Sequence, residues 1–321
     1  MTSHEVFIND AGRLRSGWRL LAFVFIYLCL LLLLGSVIRI GYVVARQLSP
    51  ARDFGIFVPD LIFRHLLLAS ALIAGYVCAR WLEGLPWRSL GVTFHERCWR
   101  DFFIGSIVGI ASLAVAAVIA TFAGGLSFTI SPRTLWGSVV QTLILSAVLF
   151  VCAALAEESL FRGYPLQTLV RARLAIFGVL LTSIAFASIH MSNPNFTQGL
   201  PYVNLLLAGV WLSIAYLRTR SLWLPLGIHW SWNWALGSLF GLPVSGISSI
   251  APHPLLHGTD LGPAWLTGGG YGIEGGLAAT AALVASTIFI WRTKLVSPAA
   301  ELLQLTAHEN PTARKRVTNS E

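Results

Sequence analysis

Two adjacent carboxylates, Glu157 and Glu158, lie near the end of a long apolar run that begins around Thr134. A charge in membrane hydrocarbon is costly, so an acid there needs a partner or a water-filled cavity. On a helix, Arg162 is four residues after Glu158 and faces it, whereas Glu157 is rotated about 100° away. The spacing therefore pairs Glu158 with Arg162 and leaves Glu157 for chemistry. The alternative is a charge cluster that anchors the helix end at the membrane surface.

Three further polar side chains fall within apolar runs in the second half of the chain. His190 ends the run that starts at Phe186, and His229 and Asn233 are spaced one helical turn apart, on one face. A single histidine or asparagine in a membrane span usually serves interhelical packing and hydrogen bonding. Because these residues occur together with two glutamates, they indicate a site instead.

The composition sets the class of protein. The chain is 55% hydrophobic and 11% charged, with a mean hydropathy of +0.71, whereas soluble domains are roughly 25% charged. This deficit of charge predicts an all-α, polytopic membrane protein. The net charge of +8 then reflects membrane topology, and no nucleic-acid partner is expected. The four cysteines have no metal-binding spacing, and no disulfide framework is predicted.

Eight apolar segments are each near the ~20 residues that a helix needs to cross a bilayer. They predict about eight transmembrane helices in one bundle. The segments are Trp18–Val44, Val58–Arg80, Phe102–Gly124, Thr134–Phe161, Leu174–His190, Leu200–Leu217, Leu222–Phe240 and Gly276–Trp291.

Cations are unevenly divided between the two ends of these segments, which predicts cytoplasmic N- and C-termini. The inside set is Arg13, Arg15, Arg19, Arg80, Arg88, Arg97, Arg100, Arg162, Arg171, Arg173, Arg218, Arg220, Arg292, Lys294, Arg314, Lys315 and Arg316, against Arg46, Arg52 and Arg133 outside. Residues 1–17 form a cytoplasmic segment in this interpretation, and residues 297–321 a disordered cytoplasmic tail. The glycine-rich loop 253–276 is expected to be an external connector; the alternative is that it dips into the bundle.

Three motifs follow one another on successive predicted spans: Glu-Glu-x-x-x-Arg at 157–162, Phe-x-x-x-His at 186–190 and His-x-x-x-Asn at 229–233. In this order the chain resembles the CPBP family of intramembrane proteases, the group of CAAX prenyl endopeptidases and bacteriocin-processing enzymes, in its bacterial form. The resemblance implies an endopeptidase of the bacterial plasma membrane that cleaves membrane-anchored or lipidated peptides. It also implies that Glu158 and Arg162 hold the end of their helix in register.

The resemblance covers roughly residues 130–245 and implies four catalytic residues. Glu157 and His190 would activate a water molecule for amide hydrolysis. His229 and Asn233 would donate hydrogen bonds to the tetrahedral oxyanion. The catalytic helical core is accordingly expected at residues 126–296, and the N-terminal helices at 18–125 would complete the cavity.

The metal dependence of such an enzyme is open at this point. Glu157, His190 and His229 are a plausible Zn²⁺ ligand set. The chain lacks the His-Glu-x-x-His helix that places zinc ligands and base together, and a metal-free mechanism, with no cofactor, is favoured.

Two other functions fit the same residues. One is a catalytically silent membrane scaffold or bacteriocin-immunity-type protein that binds a partner without cleaving it. The other is a proton-coupled transporter in which Glu157 and the histidines relay protons. Straight spans would moreover put Glu157 and His190 near opposite surfaces. The protease site therefore requires helices that are offset or tilted, or helix boundaries that differ from the predicted ones, and the long fourth span permits a Glu157 that lies deeper in the membrane.

Overall fold

The structure is a computed structural model that describes residues 6–48 and 57–307. Helices account for most of these residues, so the all-α class is confirmed. The regular elements are α1 Ser16–Leu48, α2 Phe57–Glu83, α3 Cys98–Phe122, β1 Leu126–Ile130, α4 Trp136–Glu158, α5 Tyr164–Arg171, α6 Ala175–Ile189, α7 Leu200–Thr219, α8 Trp223–Trp234, β2 Leu256–Asp260, α9 Ala264–Thr267, α10 Leu277–Arg292 and α11 Ala300–Leu305.

Six helical segments within the described ranges are long and apolar enough to cross a membrane. They correspond to the first six predicted spans. The fourth differs in its end, because its helical segment runs from Arg133 to Arg171 over 39 residues and continues past Phe161. Glu157 therefore lies well within a helical segment and not near its end. Since α8 and α10 have only 12 and 16 residues, the count of eight spans stays a prediction.

The chain divides into two compact units. The first comprises Met1–Thr93, Leu155–Gly178 and Ala300–Glu321, and the second comprises Phe94–Ala154 and Val179–Ala299. The expected catalytic core is thereby split, with Glu157 in the first unit and the two histidines and the asparagine in the second.

A buried ion cluster ties three helices together in the first unit. Arg171 of α5 binds Glu83 of α2 bidentately, with Nε–Oε2 and Nη2–Oε1 distances of 2.8 Å. Arg19 of α1 approaches the same carboxylate at 3.0 Å. All three side chains are buried. By their positions in the sequence both arginines are topological cations only, but in the structure their charges are used inside the protein.

In the second unit, α3 and α8 pack so closely that their backbones touch at glycines. A Cβ atom at Gly105 would lie 2.3 Å from the carbonyl oxygen of Leu224, and one at Gly227 would lie 2.2 Å from that of Phe102. Small residues allow such backbone approach between membrane helices. This contact determines the position of α8, which carries His229 and Asn233.

The two ends of the second unit are defined by different contacts. At one end, β1 and β2 pair antiparallel from Leu126↔Asp260 to Ile130↔Leu256. At the other end, Arg97 donates to the hydroxyl of Ser297 at 2.6 Å and Arg218 donates to the carbonyl oxygen of Val296. The chain therefore passes from one end of the unit to the other through α3, through α8 and through α10. This supports α8 and α10 as spans despite their length.

The glycine-rich loop is partly buried within the second unit. Tyr271 and Ile273 are each 1% exposed, and the side-chain amide of Asn204 donates to the carbonyl oxygens of Glu274 and Gly276 at 2.8 and 2.9 Å. This part of the loop packs into the second unit, and its location outside the membrane stays a prediction. Its backbone can be buried because a side chain satisfies its carbonyl groups.

The segment that follows α10 is also more ordered than expected. Residues 300–305 form α11, whose Leu302 is 2% exposed, and Glu301 pairs with Arg88 at 2.7 Å. The disorder predicted for residues 297–321 does not extend to this helix. Residues 308–321 lie outside the described residues.

Candidate active site

The helix that carries the paired glutamates changes its winding immediately after them. Helix α4 ends at Glu158 and continues as a π-helical turn, Ser159–Gly163, before α5 begins. Pro165 lies in the first turn of α5. A proline ring lacks the N–H group and clashes with the carbonyl four residues earlier, so the regular helix cannot continue through it. Single π turns are rare and occur frequently at functional sites.

The ion pair predicted from the spacing of Glu158 and Arg162 is present. Nη1 of Arg162 lies 3.1 Å from Oε1 of Glu158, and neither side chain is exposed to solvent. The guanidinium group also interacts electrostatically with Glu157, whose Oε2 atom is buried. Both carboxylates therefore share one buried cation, which offsets part of the cost of holding two acids side by side.

The remaining three predicted catalytic side chains meet in one cavity of the second unit. His190, His229 and Asn233 line a space of about 520 Å³, which includes the part that opens to the outside. Its other walls are mainly apolar, with Phe186 and Trp232 among them. A mostly apolar cavity with a few convergent polar groups is the usual form of a small binding or catalytic site.

Hydrogen bonding sets the tautomer of His190. This residue begins a short 3₁₀ turn directly after α6, and its Nδ1 atom lies 2.7 Å from the carbonyl oxygen of Phe186. A carbonyl oxygen only accepts, so Nδ1 carries the hydrogen and Nε2 is the acceptor nitrogen of the neutral ring. The Phe186 ring centroid is 4.7 Å from that of His190 and 5.9 Å from that of His229, so it contacts both imidazoles.

The rotation of α8 about its axis is determined by its tryptophans. The indole N–H groups of Trp230 and Trp234 donate to the carbonyl oxygens of Ala147 and Leu143 on α4, at 3.1 and 3.0 Å. These contacts lie within the second unit. They turn the adjacent face of α8, about 100° away on the helix, toward the cavity, where His229 is 7% exposed. A second π turn, Ala235–Leu239, follows α8 directly.

The cavity also contains polar residues that the sequence motifs do not indicate. Asn204, Ser245 and Glu274 line it together with the predicted residues. Glu274 lies in the glycine-rich loop, just before the apolar segment that forms α10. An acid beside an apolar run was the available signal, but the loop was expected to be external.

A metal centre needs three or four ligand side chains close together. Within each unit, as far as the chain is described, no three His, Cys, Asp or Glu side chains gather closely enough to hold a metal ion. The possible Zn²⁺ set of Glu157, His190 and His229 draws on both units and stays a prediction, as does the metal-free alternative.

Comparison with protein families returned a match over residues 139–235 to the Rce1-like family, described as type II CAAX prenyl endopeptidase Rce1-like. No curated protein and no solved structure matches the chain. The matched segment contains Glu157, His190, His229 and Asn233 in the order that the motifs predicted. Together with the apolar helices, this match confirms the resemblance to the CPBP family of intramembrane proteases: the chain is a multi-pass integral membrane protein, and its residues 139–235 are similar to the type II CAAX prenyl endopeptidases of the Rce1-like family.

Proposed function

We propose that this protein is an active intramembrane endopeptidase that hydrolyses a peptide bond in a membrane-anchored or lipidated peptide. The observation that carries the proposal is the convergence of His190, His229 and Asn233 on one cavity, within a segment that matches a family of prenyl endopeptidases. The apolar walls of the cavity and the membrane-spanning helices favour a substrate that is itself held in the bilayer.

The first step of the proposed reaction is attack by water. Glu157 and His190 together remove a proton from a water molecule, whose oxygen forms a bond to the scissile carbonyl carbon. The Nδ1–H of His190 is already bonded to the Phe186 carbonyl, so Nε2 is the nitrogen that can accept a proton. A carboxylate and an imidazole are both suitable general bases at neutral pH.

Stabilisation of the oxyanion is the second requirement. As the carbonyl becomes tetrahedral, its oxygen gains negative charge, which preorganised donors stabilise in a site that excludes water. His229 and Asn233 are one turn apart on α8 and line the same cavity. Their N–H groups are the donors we assign to the oxyanion.

Collapse of the intermediate completes the reaction. The C–N bond breaks as the proton held by the general base moves to the leaving nitrogen, which yields a carboxylic acid and an amine. The acid then releases its proton to solvent and becomes a carboxylate. Glu158 and Arg162 do not enter these steps. Their buried ion pair holds the π turn that follows Glu157, and thus the position of the base.

The experiment uses the purified full-length protein in lipid nanodiscs with a lipid-anchored peptide that carries a fluorophore and a quencher. Glu157→Gln and His190→Ala are expected to abolish cleavage, because each removes part of the water-activating pair. The matched control is His65→Ala: the Nδ1 atom of His65 makes the same bond to the carbonyl four residues earlier, at 2.8 Å, but lies far along the chain from the motifs. Cleavage by Glu157→Gln at the wild-type rate would refute the proposed mechanism.

A further inference from the structure

Glu274 stands in the cavity of His190, His229 and Asn233, yet it lies outside the matched segment 139–235. It belongs to a short 3₁₀ turn, Ile273–Gly275, in the glycine-rich loop. A carboxylate at this position needs donors. Its hydrogen-bond donors connect it to two chain segments that bring predicted catalytic residues to the cavity. One is α8, which carries His229 and Asn233, and the other is the turn that begins at His190.

The first connection leads to α8. Oε1 of Glu274 accepts a hydrogen bond of 2.8 Å from the indole Nε1–H of Trp232. Trp232 is 4% exposed and lies between His229 and Asn233 in the sequence of that helix. The carboxylate therefore holds the helical turn that presents both proposed oxyanion donors.

The second connection leads to the 3₁₀ turn that begins at His190. Oε2 of Glu274 accepts from the backbone N–H of Ser245 at 2.6 Å and from its hydroxyl group at 3.0 Å. The carbonyl oxygen of Ser245 accepts in turn from the side-chain amide of Asn193 at 3.1 Å. Asn193 ends the His190 turn, where its own N–H donates to the His190 carbonyl oxygen.

Ser245 itself depends on this carboxylate. Its backbone has a φ of 48°, in the left-handed region that costs a non-glycine residue free energy unless the surroundings maintain it. The two hydrogen bonds to Glu274 help to hold Ser245 in this conformation, together with the bond from Asn193 and the backbone bonds of the flanking residues Val244 and Gly246. One carboxylate thus stabilises the strained residue as well as the helix on the opposite wall.

The backbone of Glu274 is held as firmly as its side chain. Its carbonyl oxygen accepts from Asn204, whose Oδ1 atom accepts from the hydroxyl of Thr280 at 2.7 Å. The preceding Gly272 has a φ of 90°, and a Cβ atom there would lie 2.5 Å from the carbonyl oxygen of Pro243. The backbone of Glu274 is therefore restrained at its own carbonyl group and at Gly272, two residues before it. Such a fixed backbone suits a residue whose side chain orients other side chains.

We propose that Glu274 is a positioning residue of the active site. Through Trp232 it sets the turn that carries His229 and Asn233, and through Ser245 it sets the turn that carries His190. This inference rests on the proposed function and adds to it a residue from the glycine-rich loop.

The decisive variant is Glu274→Gln. A glutamine amide has the same shape but presents an NH₂ group on one side, so it cannot accept from both Trp232 and Ser245. Displacement of a reacting group by about 1 Å costs on the order of 10²-fold in rate. We expect kcat for the lipid-anchored peptide to fall by about that factor, with KM and the melting temperature little changed.

The matched control is Asp260→Asn. Asp260 also accepts from a backbone N–H, that of Gly262, and from a hydroxyl group, that of Thr267, each at 3.0 Å, but it does not line the cavity. This variant should retain the wild-type kcat. In addition, the effects on kcat of Glu274→Gln and Trp232→Phe should be less than additive when combined, since both remove the same hydrogen bond.

Nuclear magnetic resonance separates this inference from the proposed function. Glu274→Gln should shift the Trp232 indole N–H signal and the ring signals of both cavity histidines, and Asp260→Asn should shift none of them. If the wild-type protein cleaves no peptide, the proposed function fails, and these signals alone then decide whether Glu274 positions the rings. The inference is overturned if the Glu274→Gln protein keeps the wild-type kcat per folded molecule, with or without a loss of thermal stability. It is also overturned if the histidine signals do not move.

Discussion

Replacement of Glu83 by glutamine isolates the energetic role of the buried ion cluster in the first unit. The carboxylate contacts Arg171 twice at 2.8 Å and Arg19 at 3.0 Å, and all three side chains are buried. Glutamine preserves the shape but leaves two guanidinium groups close together without a negative charge. Opposite charges about 4 Å apart attract by about 4 kcal/mol at an effective dielectric constant of ~20, and desolvation of the ions offsets part of this attraction.

The expected loss in the free energy of unfolding is about 3–5 kcal/mol, the usual cost of removing one partner from a buried pair. Glu301→Gln is the matched control, because Glu301 pairs with Arg88 at 2.7 Å while the two side chains are 45% and 50% exposed. Exposed pairs contribute about 0–1 kcal/mol. At roughly 2 °C per kcal/mol, the melting temperature should fall by about 6–10 °C for Glu83→Gln and by about 2 °C or less for the control.

The assay is thermal unfolding of the purified full-length protein in detergent, at low and at high salt. Salt should reduce the effect of Glu301→Gln and leave that of Glu83→Gln nearly unchanged, since buried charges are poorly screened. If Glu83→Gln does not accumulate, Arg171→Lys takes its place as the test variant. It keeps the charge but loses the bidentate geometry, and it should still be less stable than the Glu301→Gln control. Equal losses for the buried and the exposed glutamate would refute the reasoning.

Further experiments test the helix packing, the buried ion pair, the site and the topology. Gly227→Ala places a Cβ atom against the backbone of α3 and should lower the free energy of unfolding by about 1–3 kcal/mol. The control Gly137→Ala meets open space and should be neutral or stabilising. Thermal unfolding measures both effects. Arg162→Ala should lower both the yield of folded protein and cleavage, because it leaves a buried carboxylate without its cation; normal yield would contradict the role of the pair. Asn233→Ala should lower kcat by about 10²–10³-fold without abolishing it. Exhaustive chelation should leave wild-type cleavage intact. The metal-free mechanism would be contradicted by one bound zinc per chain, if activity is lost when the zinc is removed and restored when it is returned. A reporter fused at Gly262 should lie outside the cytoplasm, and a cytoplasmic signal would contradict the count of eight spans.

The sequence by itself determined the features that depend on local spacing and on composition. The apolar runs predicted the all-α class and the six helical segments that are long and apolar enough to cross a membrane, because burial of backbone groups in a membrane leaves few alternatives to a helix. The pairing of Glu158 with Arg162 followed from a separation of four residues on a helix. The three motifs predicted four catalytic side chains, of which His190, His229 and Asn233 line one cavity, while the role of Glu157 stays a prediction.

Only the tertiary structure decided the contacts between residues that are distant in sequence. Glu274 follows Asn233 by a long, irregular stretch of chain, and its hydrogen bond to Trp232 exists because the loop folds back into the second unit. Similarly, Arg19 and Arg171 read as surface cations until the packing of α1, α2 and α5 brings both onto Glu83. Hydropathy and helical periodicity report which faces are apolar, but they carry no information on which buried charge meets which partner. That choice depends on the packing of whole helices, and here it supplies both the anchor of the first unit and the carboxylate beside the site of the second.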